Sequence, residues 1–154
     1  MSIDDEVAVL RRIPLFAHVE PRKLKLLAFT SERLAFEPGQ IVFYQGAEGD
    51  AAYVIIDGRA DIAVDAPSGP TSLAQVERNA IVGEIAILCD VPRTATVKAL
   101  TRLETLRIDK DQFLKLLREF PEIAVEIMRV LALRLARTNQ QLLEARDRLR
   151  TLGR

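Results

Sequence analysis

From Arg33 onward the apolar residues of this chain fall towards a period of two, and turn-forming residues keep interrupting them. The interruptions are Pro38-Gly39, Gly46, Gly49-Asp50, Asp57-Gly58 and Pro67-Ser68-Gly69-Pro70. Short strands divided by tight turns at this spacing point to a small barrel or jelly roll. Two further strands are expected at Thr94 to Ala99 and Leu103 to Ile108. The flanks have a helical period instead. Residues 4 to 12 read as a helix, Ile13-Pro14-Leu15-Phe16 as an apolar turn, and Pro21 as the first position of a helix bearing Leu24, Leu26, Leu27 and Phe29. After Asp109 one helix is expected from Asp111 to Phe120, and a longer one from Pro121 to about Leu149. The expected class is α+β, mainly β. N-terminal helices occupy 1–30, an antiparallel β-roll 31–109 and two C-terminal helices 110–154, all within one domain spanning 1–154.

With 154 residues the chain can build one real core and is too short for two ordinary domains. Its 22 basic and 22 acidic residues balance, so net charge gives no reason to expect nucleic acid or a membrane as partner. The N-terminal Met1-Ser2-Ile3-Asp4-Asp5-Glu6 lacks the features of a signal peptide, and a cytoplasmic protein is expected. One cysteine, Cys89, rules out an internal disulfide, and with the one histidine, His18, it rules out a Cys/His metal cluster. No nucleophile–base pair stands out either, so neither an enzyme nor a cofactor is expected.

The chemistry is concentrated in Gly83-Glu84-Ile85-Ala86-Ile87-Leu88-Cys89-Asp90-Val91-Pro92-Arg93-Thr94-Ala95-Thr96-Val97. A small residue and a carboxylate open an apolar run of one or two helical turns, and a Pro-preceded Arg follows. Gly83 lets backbone amides approach an anion, and the helix start behind it adds donors with a favourable dipole. Arg93 offers a fork of donors suited to bidentate phosphate binding. Glu84 would repel a phosphate but can accept a hydrogen bond from a sugar hydroxyl. Together they describe a pocket for a sugar phosphate of low charge. The plainer alternatives are a surface Arg capping a loop and an acidic residue in a first helical turn. The dipole alone stabilises such a Glu by about 0.3–1 kcal/mol, and it does not require an Arg nine residues on.

This stretch resembles the phosphate-binding cassette of the cyclic nucleotide-binding domain family. The family pattern of Gly-Glu, a small residue two further on, and then Pro-Arg-(Ala/Ser/Thr)-Ala is present without a gap. The resemblance continues in Phe36-Glu37-Pro38-Gly39-Gln40-Ile41, in Gln45-Gly46 with Gly49-Asp50, and in Tyr53-Val54-Ile55 before Gly58. It implies a β-roll with a short phosphate-binding helix inserted in a cassette at 83–95. The implied ligand is cyclic AMP, with cyclic GMP as the alternative. By the same resemblance Arg93 holds the cyclic phosphate with the amides of Ala86 and Thr94, and Glu84 holds the ribose 2′-hydroxyl. Gly83, Ile85 and Ala95 complete that set. Thr94 suits either the phosphate or a purine edge, or simply starts a strand. The family usually has a glycine four residues before Gly83, where this chain has Asn79. Asn tolerates the left-handed conformation, so the turn should survive.

Met128, Leu131, Leu135, Thr138, Leu142, Ala145, Leu149 and Leu152 alternate steps of three and four, a heptad seam suited to a two-stranded coiled coil. A helix packed on its own roll is the other reading. Leu133-Arg134-Leu135-Ala136-Arg137-Thr138-Asn139 resembles the dimer helix of the catabolite activator branch of the family. That resemblance implies a base contact from Thr138 and, where the family has Ser, from Asn139. Residues 129–154 carry seven Arg against Glu144 and Asp147, which reads as a solvated helix face. Cys89 is expected to be a small buried thiol.

Nothing resembling a helix-turn-helix follows the long helix, so no direct DNA binding is expected. The expected function is reception of a cyclic nucleotide, with occupancy passed through the C-terminal helix to an effector of unknown identity and a homodimer through that helix. The rivals are a ligand-independent dimerisation or interaction module, and the regulatory fragment of a larger channel or transcription regulator.

Overall fold

The computed structural model describes residues 2–153, which divide into two compact units, one reaching Leu116 and the other starting at Leu117. The first unit opens with α1 (Ile3–Arg11). Ser2 caps it by accepting from the Asp5 amide at 3.2 Å, while the Asp5 carboxylate accepts from the Ser2 amide at 3.2 Å. Such a reciprocal pair satisfies two helix-end donors and stabilises the start by about 1 kcal/mol. A 3₁₀ turn, Pro14–Phe16, leads to α2 (Pro21–Thr30), which begins on proline as expected. α1 packs on α2, and Leu10, Phe16, Leu24 and Leu27 are buried.

Eight antiparallel strands follow in two four-stranded sheets. The first, in the order β1-β8-β3-β6, joins β1 (Glu32–Phe36), β8 (Leu103–Asp109), β3 (Ala51–Asp57) and β6 (Ile81–Val82). The second, in the order β2-β7-β4-β5, joins β2 (Ile41–Phe43), β7 (Thr96–Ala99), β4 (Ala60–Ala66) and β5 (Gly69–Val76). Ala51, Tyr53 and Ile55 of β3, Val97 and Ala99 of β7, and Leu103 of β8 belong to one buried cluster, with Phe36 and Phe43 packed against it. The turn between β5 and β6 contains Asn79 at φ 74°, and its amide donates to the Ile55 carbonyl at 2.8 Å. Asn therefore does hold the left-handed corner. β7 starts at Thr96, two residues later than the β-branched pattern suggests. The reason lies in the preceding backbone, where the Arg93 amide donates to Ala47 O and the Arg93 carbonyl accepts from Gly46 N, both at 2.8 Å.

Two short elements complete this unit's site region. α3 (Glu84–Leu88) lies between β6 and β7, and α4 (Lys110–Glu119) starts directly after β8 and runs across the unit boundary. α4 ends ahead of Pro121 because the preceding Phe120 takes an extended conformation, φ −127° and ψ 83°.

The second unit consists mainly of α5 (Pro121–Leu152). Along it Met128, Leu135, Leu142, Leu149 and Leu152 of the heptad seam are exposed, as are Thr138 and Ala145. No described helix is long and apolar enough to cross a membrane.

Candidate functional site

Gly83 sits at φ 84° and ψ 0°, where an L side chain is strained, and it serves as the N-cap of α3. The left-handed corner turns the chain from β6 straight into the helix, so the amides of Ile85 and Ala86 fall in a first turn without intrahelical acceptors. A Cβ on residue 83 would lie 2.5 Å from Arg93 Nη1 and 3.2 Å from both Ala51 O and Phe43 Cε2. Only glycine lets the arginine come this close. The loop after α3 folds back on it, the Val91 amide donating to Ala86 O at 3.1 Å. Asp90, at φ 54°, pairs with Lys110 Nζ at 3.6 Å, which ties the cassette to the start of α4.

Arg93 is the centre of this arrangement. Its side chain is 1 % exposed. Nη1 donates to Gly83 O at 2.9 Å, and Nη2 donates to Ala51 O at 2.7 Å and to Asp50 Oδ1 at 3.2 Å. The guanidinium lies over the Phe43 ring, 4.1 Å from its centroid. Arg93 Nε is buried with no hydrogen-bond partner, the one such side-chain atom among the described residues. Burial pulls the guanidinium pKa below its usual value, and the Asp50 charge only partly opposes this. A desolvated cation with an unmet donor is a group that an anion would satisfy.

Glu84 is buried at 1 % exposure, in the first turn of α3. Ala86 and Ala95 are buried, Ile85 is half-buried and Thr94 is exposed. Thr94 lies outside β7, in the loop that carries Arg93. The fold thus brings Gly83, Glu84, Ile85, Ala86, Arg93, Thr94 and Ala95 into one cassette. Thr138 and Asn139 belong to the second unit, where both are exposed and Thr138 Oγ1 donates to Arg134 O at 2.9 Å. Cys89 corrects an expectation. It is exposed rather than buried, because it lies past the last turn of α3 on the outward loop.

Sequence reasoning missed the partners of Arg93. Asp50 was legible only as part of a Gly-Asp turn, yet its second oxygen accepts from Arg107 Nη2 at 3.3 Å. Arg107 also donates to Asp109, and it sits opposite Tyr53 across the β3–β8 ladder. Partial burial works against the Arg107 charge, but the Tyr53 and Asp109 side chains more than offset it and its pKa stands above the usual value. The Phe43 and Tyr53 rings are 5.9 Å apart and Tyr53 is the register partner of Arg107, so Phe43 on one side and Asp50 on the other link Arg93 towards Arg107. Strand Leu103–Asp109 also carries Glu104 and Asp109, so nothing in the sequence singled out Arg107.

The family model for the cyclic nucleotide-binding domain matches residues 33–120. A CRP-like cAMP-activated global transcriptional regulator of Mycobacterium tuberculosis is 33% identical over 135 residues, covering 87% of this chain and 60% of the regulator. The chain therefore spans under two thirds of that relative. Among solved structures, the catabolite activator protein of Thermus thermophilus aligns with a TM-score of 0.73 and 28% identity, over 84% of this chain and 61% of that one. A cAMP-binding acyltransferase of Mycobacterium smegmatis aligns with a TM-score of 0.77 and 32% identity, over 87% and 42%.

Proposed function

The chain belongs to the cyclic nucleotide-binding domain family, and from that premise we propose that it is a receptor for cyclic AMP rather than an enzyme. The observation that carries the reading is the buried Arg93 guanidinium with its unmet Nε, set beside a buried Glu84 in a glycine-opened turn. Arg93 takes the cyclic phosphate, with the amides of Ala86 and Thr94 as further donors. Glu84 accepts from the ribose 2′-hydroxyl. Gly83, Ile85 and Ala95 shape the cradle, and their backbone or small side chains let the sugar phosphate approach. Cyclic AMP is preferred to cyclic GMP because the M. tuberculosis relative is described as cAMP-activated.

Arg93 already meets three acceptors in a site almost sealed from solvent. A phosphate that meets the unmet Nε shares the guanidinium with the Asp50 carboxylate, so its charge bears on that pair and binding is coupled to its rearrangement. Such coupling is what a population shift requires, since the ligand must bind the two states unequally. The signal passes through α5 to an effector of unknown identity.

Titration of the nucleotide-stripped protein by calorimetry tests the reading. Cyclic AMP is expected to bind with a Kd of about a micromolar or tighter, a free energy near −8 kcal/mol, and cyclic GMP more weakly. Absence of heat with both, together with an unshifted melting temperature, removes the proposal. The exposed seam of α5 carries its own expectation. In sedimentation equilibrium at tens of micromolar the protein is a dimer, and Leu135→Asp with Leu142→Asp makes it a monomer, because each places an unpaired charge in a coiled-coil seam. A wild-type monomer would assign the seam to another partner.

A further inference from the structure

We propose that Arg107 sets the affinity of the site by taking up the Asp50 carboxylate when an anion reaches Arg93, an inference that rests on the cyclic nucleotide reading. Of the three acceptors on the Arg93 guanidinium, two are main-chain carbonyls, Ala51 O in β3 and Gly83 O at the left-handed corner. Neither can leave without moving a strand or a helix start. The third, Asp50, is a side chain 62% exposed to solvent. It is the acceptor that can yield.

Its destination is already in place. The Asp50 carboxylate is divided, Oδ1 lying 3.2 Å from Arg93 and Oδ2 3.3 Å from Arg107. Moving fully to Arg107 takes a side-chain rotation and no backbone change. A phosphate arriving at Arg93 repels the carboxylate beside it, and Arg107 gives that charge somewhere to go. Arg107 is a fixed receiver. It faces Tyr53 directly across the β3–β8 ladder and is held from the same strand by Asp109. Without it, Arg93 is the one remaining cation paired with Asp50 among the described residues, and the carboxylate goes on competing with the phosphate. Arg107 is thus a positioning residue that acts through Asp50.

A double-mutant cycle on the full chain reads this coupling, with the Kd for cyclic AMP measured by calorimetry and the melting temperature checking that each variant is folded. Arg107→Gln is expected to weaken binding about tenfold where Asp50 is intact, but less than about threefold in the Asp50→Asn background. If Arg107→Gln does not fold, Arg107→Met, which keeps much of the length and removes the charge, enters the same cycle under the same criterion. Equal losses in both backgrounds would overturn the inference, since Arg107 would then act by its own charge or by structure. An unchanged Kd in Arg107→Gln would overturn it too. Wild-type protein that binds normally with an additive cycle removes this inference alone, whereas wild-type protein that binds no cyclic nucleotide removes the receptor reading and this one with it.

Discussion

Arg93→Lys is expected to raise the Kd for cyclic AMP about a hundredfold, close to 2.8 kcal/mol. Lysine keeps the positive charge, so the change isolates the geometry of the guanidinium. The arginine uses three bonds to hold Gly83 O, Ala51 O and Asp50 while its Nε stays unmet. An ammonium has three donors in all and no planar face to lay over Phe43. It can hold the cassette together or meet a phosphate, but not both in the same geometry. Calorimetry should show the loss, while the melting temperature falls by only a few degrees. Affinity within about threefold of wild type would mean that the phosphate rests on backbone amides alone.

Gly83→Ala is expected to be the most damaging single methyl in the cassette. Two costs add there. A non-glycine residue at φ 84° is strained by about 1–2 kcal/mol, and the new Cβ would fall 2.5 Å from Arg93 Nη1, which is boxed in by Phe43 and Ala51. Together they should lower the unfolding free energy by about 2–4 kcal/mol and abolish cyclic nucleotide binding. Gly39→Ala separates the two contributions. Its φ is 90°, with nothing within 4 Å of the added methyl, so it carries the strain without the collision. Urea denaturation of the pair should place Gly39→Ala between wild type and Gly83→Ala. Equal midpoints for the two variants would show that Arg93 gives way at no cost.

Much of this could be read from the chain because it depends on local rules. Proline at the first turn of α2 and α5 and the small residue opening α3 are fixed by neighbours in sequence, and so are the turn at Asp57-Gly58 and the corner at Asn79. The cassette residues were legible for the same reason, since Gly83 through Ala95 form a continuous segment. The partners of Arg93 were not. Asp50 and Phe43 lie 43 and 50 positions away and reach it only when β2 and β3 are folded against the cassette. Arg107 enters through the register that sets it opposite Tyr53, and a one-residue slip would turn it to the other face. Cys89 was misjudged because an apolar run predicts burial, whereas α3 stops at Leu88 and the chain turns outward. β7 began late because the Arg93 backbone bonds to the 46–47 loop, a demand that β-branched residues do not reveal.

The bond from Arg93 to Ala51 spans 42 positions, and it is one of the contacts that define the cradle. A partly unfolded chain that keeps the short helix but has lost β3 has no cradle to offer. On the proposed reading a cyclic nucleotide would bind only the fully closed fold, and at a hundred times its Kd it would add about 2.7 kcal/mol to the free energy of unfolding. A marginally stable protein feels such an increment as a large change in how often it opens to proteases. If the receptor proposal holds, second-messenger concentration would govern the lifetime of this protein as well as its state, so that cells starved of the signal would also hold fewer copies of it.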